Sequence, residues 1–425
     1  MKTQTWIPTA VIAGLFFIFG FVTWINGALI PYMKTINELT EAQSYLVASA
    51  FYISYVVMAL PASKILEKIG YKKGMSLGLF VMALGALVFI PAANSRTYVC
   101  FLLGLFIQGS GLTILQTAAN PYITILGPLE SAAKRIAIMG IANKIAGAIG
   151  SIVFASLLLS GIDEVNNQLI NTNPAEKELL LNSLAESVVN PYLLMAFVLF
   201  LLTLGIRKAP LPEIDLSKSS DNKNSEETTK TSIFQFPYLW LGVLTLFVYV
   251  GAEVVAGDTI ISYGKALGIP SEKYKFFTSF TLMSMVLTYA IGVYTIPKFI
   301  SQHNALKISA LLGLLFSVCI LCTSGFTSVL FVAALGIANA LVWPAVWPLS
   351  IDGLGKFTKT GSALLIMAIA GGATIPPLYG MFVDFQVQSG TNIANASTKA
   401  YGVLIPCYAI ILFFATKGHL WGKHQ

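Results

Sequence analysis

Apolar runs of similar length recur from one end of this sequence to the other. The hydrocarbon core of a membrane is about 30 Å thick and is crossed by about 20 helical residues, which is the length of each run. Twelve runs are present, centred near Phe19, Tyr52, Met82, Leu112, Gly150, Phe197, Val250, Val286, Gly313, Ala338, Ala370 and Tyr408. The sequence therefore predicts an all-α membrane protein with twelve transmembrane helices in a lipid bilayer.

The distribution of charge supports this prediction and gives an orientation. Only 11% of the residues are charged, against about a quarter in soluble domains. The net charge of +7 does not indicate nucleic acid, because the basic residues are sorted by side of the membrane rather than gathered in one patch. With the N-terminus inside, eighteen of the 26 lysines and arginines fall in cytoplasmic segments, as the positive-inside rule requires. We expect an inner-membrane protein with both termini in the cytoplasm and no nucleic-acid partner.

A polar stretch near the middle of the chain separates the first six runs from the last six. Residues 207–233 have no apolar period and are rich in Ser, Asn, Lys and Glu, which is typical of a flexible linker. The sequence thus predicts an N-terminal six-helix half at residues 1–206, a cytoplasmic linker at 207–233 and a C-terminal six-helix half at 234–425.

Internal similarity indicates that the two halves are a duplication. Met139 matches Met367 at an offset of 228 residues, and Pro121 matches Pro348 at an offset of 227. Parallel repeats of this kind are found in transporters whose halves are related by an axis along the membrane normal.

Two polar side chains are predicted to lie near the middle of the membrane. Gln116 and Lys144 flank the basic loop between the fourth and fifth runs, and the helical rise places each of them about 15 Å deep. The Asn120-Pro121 pair between them is expected to break the helix. An ionisable group at this depth is costly, so Lys144 either belongs to a functional pathway or is a structural lysine that snorkels or forms a salt bridge.

Further polar and aromatic residues interrupt the first, seventh and tenth runs. Glu253 lies deep in the seventh run and must face water, a cation or a partner. Asp258, closer to the outer surface, is either a coupling acid or an interfacial carboxylate. Trp343 and Trp347 share one helix face at spacing i, i+4, where they either stack on a sugar ring or pack. Asn26 in the first run faces either a cavity or a close helix neighbour.

The spans carry no recognisable enzyme machinery. His303, His419 and His424 lie in a loop or the tail, and no G-x-S-x-G motif is present. A nucleophile–base pair or a metal cluster is therefore not expected within the membrane. The linker is too short and polar to be a sensor's output domain. The sequence predicts a monomeric membrane protein that is not an enzyme and has no bound cofactor.

Four segments resemble signatures of the fucose/glucose-galactose permease family of the major facilitator superfamily. They are TAANPYITILGP from Thr117, GLFIQGSGL from Gly104, FVYVGAEV from Phe247 and IAGGATIPPLYG from Ile369. The resemblance covers nearly the whole chain. It implies the major facilitator fold and a secondary active transporter that imports a monosaccharide together with a cation, Na+ or H+, by alternating access.

The chain departs from the fucose-transporting members at positions that the resemblance marks as functional. Gly27 and Gln116 stand where those proton-coupled members carry an aspartate and a glutamate. Gly140 and Tyr289 stand where the family has a glutamine and an arginine. These departures imply that proton coupling, if present, uses other acids.

Other positions keep the character of a sugar site. The resemblance retains Asn143, places Trp343 where the family has a cavity tyrosine, and gives Glu253 a counterpart in the glucose-galactose branch, which includes sodium-coupled members. The expected substrate is a hexose such as glucose or galactose, or an amino sugar. The alternative is an anionic sugar such as a uronate, with Lys144 as its counter-charge. The residues expected to bind substrate are Asn26, Gln116, Asn143, Lys144, Trp343 and Trp347; those expected to couple the cation are Glu253 and Asp258, with Glu253 as the candidate Na+ ligand.

Overall fold

The computed structural model describes residues 6–125, 132–159, 162–211, 231–296 and 298–422. Every regular element in these ranges is helical. The α-helices, in chain order, are α1 (Trp6–Trp24), α2 (Asn26–Ile36), α3 (Glu41–Ser44), α4 (Leu46–Ile69), α5 (Tyr71–Ser95), α6 (Tyr98–Ile125), α7 (Ala132–Leu158), α8 (Ile162–Asn171), α9 (Pro174–Glu186), α10 (Val189–Lys208), α11 (Pro237–Asp258), α12 (Ile260–Ala266), α13 (Ser271–Tyr274), α14 (Phe277–Thr295), α15 (Gln302–Cys322), α16 (Gly325–Asn339), α17 (Val342–Ile351), α18 (Thr358–Met367), α19 (Gly371–Gln388), α20 (Ile393–Ala400) and α21 (Leu404–Thr416).

Twelve stretches of the described residues are long and apolar enough to cross a membrane, and they coincide with the twelve predicted runs. Spans 1 to 6 contain α1 with α2, α4, α5, α6, α7 and α10, and spans 7 to 12 contain α11, α14, α15, α16 with α17, α18 with α19, and α20 with α21. The prediction of an all-α protein with twelve transmembrane helices is confirmed. An even number of spans places both ends of the chain at one face, which we call the terminal face; the other is the opposite face.

Side-chain caps fix the start of several helices next to loops. Thr40 forms a capping box with Gln43 at the start of α3, and Asn173 accepts a hydrogen bond from the Glu176 N–H at the start of α9. Ser301 caps α15 in the same way. Such side chains satisfy backbone donors that have no partner within the helix.

The Asn120-Pro121 pair does not break the fourth span, contrary to the sequence-based expectation. Helix α6 continues through Pro121 to Ile125. Proline is tolerated within membrane helices because neighbouring helices and hydroxyl side chains compensate for the lost donor.

Two pairs of spans approach each other equally closely: span 1 with span 5, and span 7 with span 11. A Cβ atom on Gly20 would lie 1.8 Å from the Asn143 carbonyl oxygen, and a Cβ atom on Gly371 would lie 1.7 Å from the Phe247 carbonyl oxygen. Gly20 and Phe247 are 227 positions apart, and Asn143 and Gly371 are 228 apart. These are the offsets of the internal similarity, so the same close contact recurs in both halves, with the glycine on opposite partners.

Helix α10, the last helix of the first half, ends at Lys208. Most of the proposed linker, residues 212–230, lies outside the described residues. The domain limits therefore stay a prediction.

The two halves are joined at the opposite face. Asp384 at the end of span 11 accepts hydrogen bonds from the backbone N–H groups of Glu41 and Ala42, at 3.0 and 2.9 Å. Asp163 after span 5 accepts one from the Ser271 N–H at 2.9 Å and one from the Tyr274 hydroxyl at 3.1 Å. Each carboxylate thus caps a short helix, α3 or α13, that belongs to the other half.

Candidate substrate cavity

A cavity of about 170 Å³ lies between the two halves. This volume equals that of about five or six liquid water molecules, so it suits a small molecule. The lining residues are Phe16, Phe19, Thr23, Trp24, Tyr52, Tyr55, Gln116, Asn120, Gly140, Asn143, Lys144, Tyr249, Val250, Glu253, Val254, Tyr289, Trp343 and Ile369.

Five of the eight residues singled out from the sequence line this cavity. They are Gln116, Asn143, Lys144, Glu253 and Trp343. The other three, Asn26, Trp347 and Asp258, are not among its lining residues. These five residues belong to spans 4, 5, 7 and 10.

An ion pair crosses the cavity from one half to the other. Lys144 Nζ on span 5 lies 2.5 Å from Glu253 Oε1 on span 7, and both residues are 8% exposed. A buried charge is strongly destabilising alone and tolerated when it is paired and hydrogen-bonded. The pair explains how a lysine and a glutamate can both lie at this depth.

The indole of Trp24 forms one end of the cavity. Lys144 Nζ lies 4.3 Å from the ring centroid, a cation–π distance. Trp24 is buried, and its ring packs against two glycines: a Cβ atom on Gly147 or on Gly257 would lie 2.3 Å from a ring atom. Because these glycines belong to spans 5 and 7, the ring fills the space where the two halves meet on the side of the opposite face.

Two tryptophans on span 10 form a stack. The ring centroids of Trp343 and Trp347 are 5.4 Å apart and their planes are inclined by 28°. Trp343 lines the cavity, whereas Trp347 packs behind it, one turn nearer the terminal face. Trp347 therefore supports the orientation of Trp343 without lining the cavity itself.

The two departures at Gly140 and Tyr289 are structurally linked. A Cβ atom on Gly140 would lie 3.4 Å from the Tyr289 ring. The phenol thus occupies the space beside the glycine, and both residues line the cavity. Span 8 thus supplies an aromatic surface at the place where span 5 has no side chain.

Amide groups supply polar contacts at the cavity wall. The Asn143 Nδ2 group donates a weak hydrogen bond to the Phe16 carbonyl at 3.4 Å, and its Oδ1 atom can accept another. Gln116 and Asn120 lie one turn apart on span 4 and are both half-buried. Amides carry both donors and acceptors, so they match the hydroxyl groups of a sugar.

Sequence reasoning missed several aromatic residues of the cavity. Tyr52 and Tyr55 on span 2 stack with centroids 6.3 Å apart, and Tyr249 on span 7 lies one turn before Glu253. The i, i+3 spacing of Tyr52 and Tyr55 was the available signal, because it places two aromatic rings with polar tips on one face of a membrane helix.

The arrangement suits a small, neutral, polar ring compound. Aromatic faces offer apolar stacking surfaces, and a few amide and hydroxyl groups fix orientation, which is the usual composition of a small-molecule site. In the described part of the chain, no group of three or more His, Cys, Asp or Glu side chains is placed to hold a metal ion.

The fold and cavity have counterparts among known proteins. The family profile described as Major Facilitator Superfamily matches residues 12–377. The glucose/galactose transporter of Brucella abortus biovar 1 (strain 9-941) is 33% identical over 409 residues, which cover 95% of this chain and 92% of that protein. The L-fucose-proton symporter of Escherichia coli (strain K12) is 32% identical over 417 residues, covering 96% and 92%.

A solved structure gives the same architecture. The crystal structure of a transporter named FucP in the outward conformation superposes with a TM-score of 0.70 at 29% sequence identity. The match covers 97% of this chain and 98% of that one.

Proposed function

Because the chain belongs to the major facilitator superfamily, we propose that it is a secondary active transporter that imports a monosaccharide in symport with a cation, by alternating access. The observation that carries this proposal is the cavity at the junction of the two halves, lined by aromatic rings, amides and one internal ion pair. Its relatives named as glucose/galactose and fucose transporters support the same class of substrate.

The charge of the cavity favours a neutral sugar. Lys144 is the only cation among the described lining residues, and Glu253 already neutralises it. A uronate would have to displace that carboxylate and leave it buried without a partner, which costs several kcal/mol. We therefore place a neutral hexose or an amino sugar ahead of an anionic sugar as the substrate.

The substrate position follows from the aromatic surfaces. In our proposal the sugar ring stacks on Trp343, while Gln116 and Asn143 exchange hydrogen bonds with its hydroxyl groups. Paired buried polar groups give specificity, since a sugar that lacks the matching hydroxyl leaves them unsatisfied. Asn26 and Trp347 lie outside the cavity lining, and we assign Trp347 the supporting role described above.

The orientation follows from the distribution of basic residues. The protein is a multi-pass membrane protein, and we place its terminal face in the cytoplasm, in the inner membrane, because most lysines and arginines fall on that side. The face at which Asp384 and Asp163 join the two halves is then the outer one. We expect the transporter to act as a monomer.

A ligand screen tests this proposal. Thermal unfolding of the purified protein is measured with a panel of monosaccharides and uronates, with and without sodium, because a ligand stabilises the state that binds it. We expect a neutral hexose or amino sugar to raise the unfolding midpoint. A rise with uronates alone would restore the anionic-sugar alternative, and no rise with any sugar would contradict the proposal.

A further inference from the structure

A second polar cluster lies between the cavity and the opposite face. Asp258 on span 7 and Asn26 on span 1 are both fully buried. Neither oxygen of Asp258 and neither polar atom of the Asn26 side-chain amide has a hydrogen-bond partner among the described residues. Buried polar groups are almost always paired, so this cluster is prepared for a ligand that the protein itself does not supply.

Asn26 and Asp258 each lie beside a break in a membrane-spanning helix. Span 1 is interrupted at Ile25, between α1 and α2, and span 7 at Thr259, between α11 and α12. Gly27, the residue after Asn26, permits a close approach, since a Cβ atom there would lie 3.5 Å from the Asp258 Cα atom. Ser262 lies in α12, four residues beyond Asp258 and across the break at Thr259.

The local charge points to a cation. Asp258 is the last residue of α11, and the C-terminal end of a helix carries partial negative charge. Broken membrane helices whose C-terminal ends and carbonyl groups face a buried site are a recurrent way to hold Na+ or H+. The carboxylate, the amide oxygen of Asn26 and the hydroxyl of Ser262 are oxygen ligands, the type that hard cations prefer.

The charged groups around Asp258 leave one negative charge that a bound cation would neutralise. Asp258 is faced by Glu253, five residues earlier on the same helix, by Lys144 from span 5, and by the phenols of Tyr45 and Tyr52 from the region of span 2. Lys144 and Glu253 cancel each other. The remaining charge is the single negative charge of Asp258, which is buried without compensation.

We propose that Asp258, with Asn26 and Ser262, binds the co-transported monovalent cation, Na+ or H+, and is the coupling site of the transporter. This inference rests on the proposed sugar symport. Glu253 is held by Lys144 at the sugar cavity, so the cation is taken up about 7.5 Å farther along the same helix, at five residues of helical rise. Because Asp258 packs against span 1 of the other half, occupancy of the site changes the stability of the closed interface.

The experiment compares Asp258→Asn with the wild type, and uses Asp352→Asn, an exposed carboxylate at the end of span 10, as the matched control. Unfolding midpoints of the purified proteins are measured in sodium chloride against choline chloride, and at acid against alkaline pH. We expect the wild type and the control to be stabilised by Na+ if the cation is sodium, or by acid if it is a proton. We expect Asp258→Asn to lose that response.

Transport supplies the second measurement. In proteoliposomes, a saturating cation should raise the affinity of the wild type for the stabilising hexose by about 5- to 150-fold, and Asp258→Asn should show no change. The variant should still exchange sugar across the membrane but fail to concentrate it. If Asp258→Asn does not fold, Asn26→Ala and Ser262→Ala should shift the response to higher cation concentrations.

The outcomes separate this inference from the proposed function. A cation response that persists in Asp258→Asn, or is unchanged in both Asn26→Ala and Ser262→Ala, overturns the assignment while the sugar transporter stands. A wild type that concentrates sugar without any response to Na+ or pH overturns it as well. A wild type that neither binds nor exchanges any sugar overturns the proposed function itself.

Discussion

The buried pair of Lys144 and Glu253 is the residue-scale feature on which the cavity depends. Its two charges come from different halves, 2.5 Å apart, and the lysine also rests on the Trp24 ring. The pair must therefore loosen or rearrange whenever the halves move relative to each other, which links the cavity to the conformational change.

Neutralising one member of this pair should destabilise the protein more than neutralising both. Glu253→Gln leaves Lys144 charged and buried, which costs about 3–5 kcal/mol. Lys144→Gln leaves Glu253 in the same position and should also impair hexose accumulation. The double variant Lys144→Gln/Glu253→Gln should recover much of the lost stability in a thermal unfolding measurement. If both single variants unfold at the wild-type temperature, the pair contributes nothing and the cavity geometry is wrong.

Trp343 provides the second residue-scale prediction. Trp343→Ala should weaken binding of the hexose about tenfold, or about 1.4 kcal/mol, because the stacking surface is lost. Trp343→Phe should weaken it much less. Isothermal titration measures both affinities, with Trp421→Ala, an exposed tryptophan outside the cavity, as the control. Equal affinity in the wild type and Trp343→Ala would place the sugar elsewhere.

The sequence located both charged residues of the cavity and two of its amides, but not the ion pair that the charged residues form. Helical depth placed Gln116 and Lys144 at the same level, and the cost of a buried charge singled out Glu253. The contact between Lys144 and Glu253 joins residues 109 positions apart, and such a tertiary contact leaves no signal in local periodicity. For the same reason, the position of Asp258 in the seventh run did not predict that its carboxylate would be fully buried without a hydrogen-bond partner among the described residues.

At the scale of the elements, the packing of Trp24 between spans 5 and 7 keeps the opposite face closed. Gly257→Ala should open it, because the added Cβ atom would lie 2.3 Å from the Trp24 ring and a rigid indole cannot yield by that amount. Spin labels at Ser183 and Ser389, both exposed at the opposite face, should report a longer distance in this variant.

The matched control for that change is Gly205→Ala, where a Cβ atom meets nothing within 4 Å. It should leave the label distance unchanged. Identical distances in Gly257→Ala and the wild type would show that Trp24 does not hold the two halves together.

The helix-capping carboxylates at the same face form a second closing device. Asp384 and Asp163 each cap a short helix of the other half, and a lost cap costs about 0.5–2 kcal/mol. Asp384→Ala should therefore shift the equilibrium toward the conformation open at this face by a factor of about 2 to 30, and Asp163→Ala should do the same.

The same pair of spin labels measures this shift as a larger population at long distance. Glu178→Gln is the control, because Glu178 pairs with Arg96 within the N-terminal half and its loss leaves the contact between halves intact. A shift of equal size in Glu178→Gln would mean that general surface charge, not capping across the halves, sets the equilibrium.

At the scale of the whole molecule, hydrophobicity determined what could be predicted. Twelve runs long enough to span a bilayer leave few alternatives to a helical bundle, because backbone groups in lipid must be satisfied within each segment. The offset of 227 to 228 residues anticipated the matching contacts of Gly20 with Asn143 and of Gly371 with Phe247. Which face is closed is a matter of a few kcal/mol between two conformations of one sequence, and no pattern in the sequence reports it.

Uptake into proteoliposomes shows whether the protein couples sugar import to a cation gradient. The purified protein is reconstituted, and the labelled hexose that stabilises it is supplied outside with an imposed inward gradient of Na+ or H+. We expect the sugar to accumulate above its external concentration, to lose that accumulation when the gradient is collapsed, and to continue exchanging labelled for unlabelled sugar. Sugar that only equilibrates across the membrane, whichever cation gradient is imposed, would contradict this expectation.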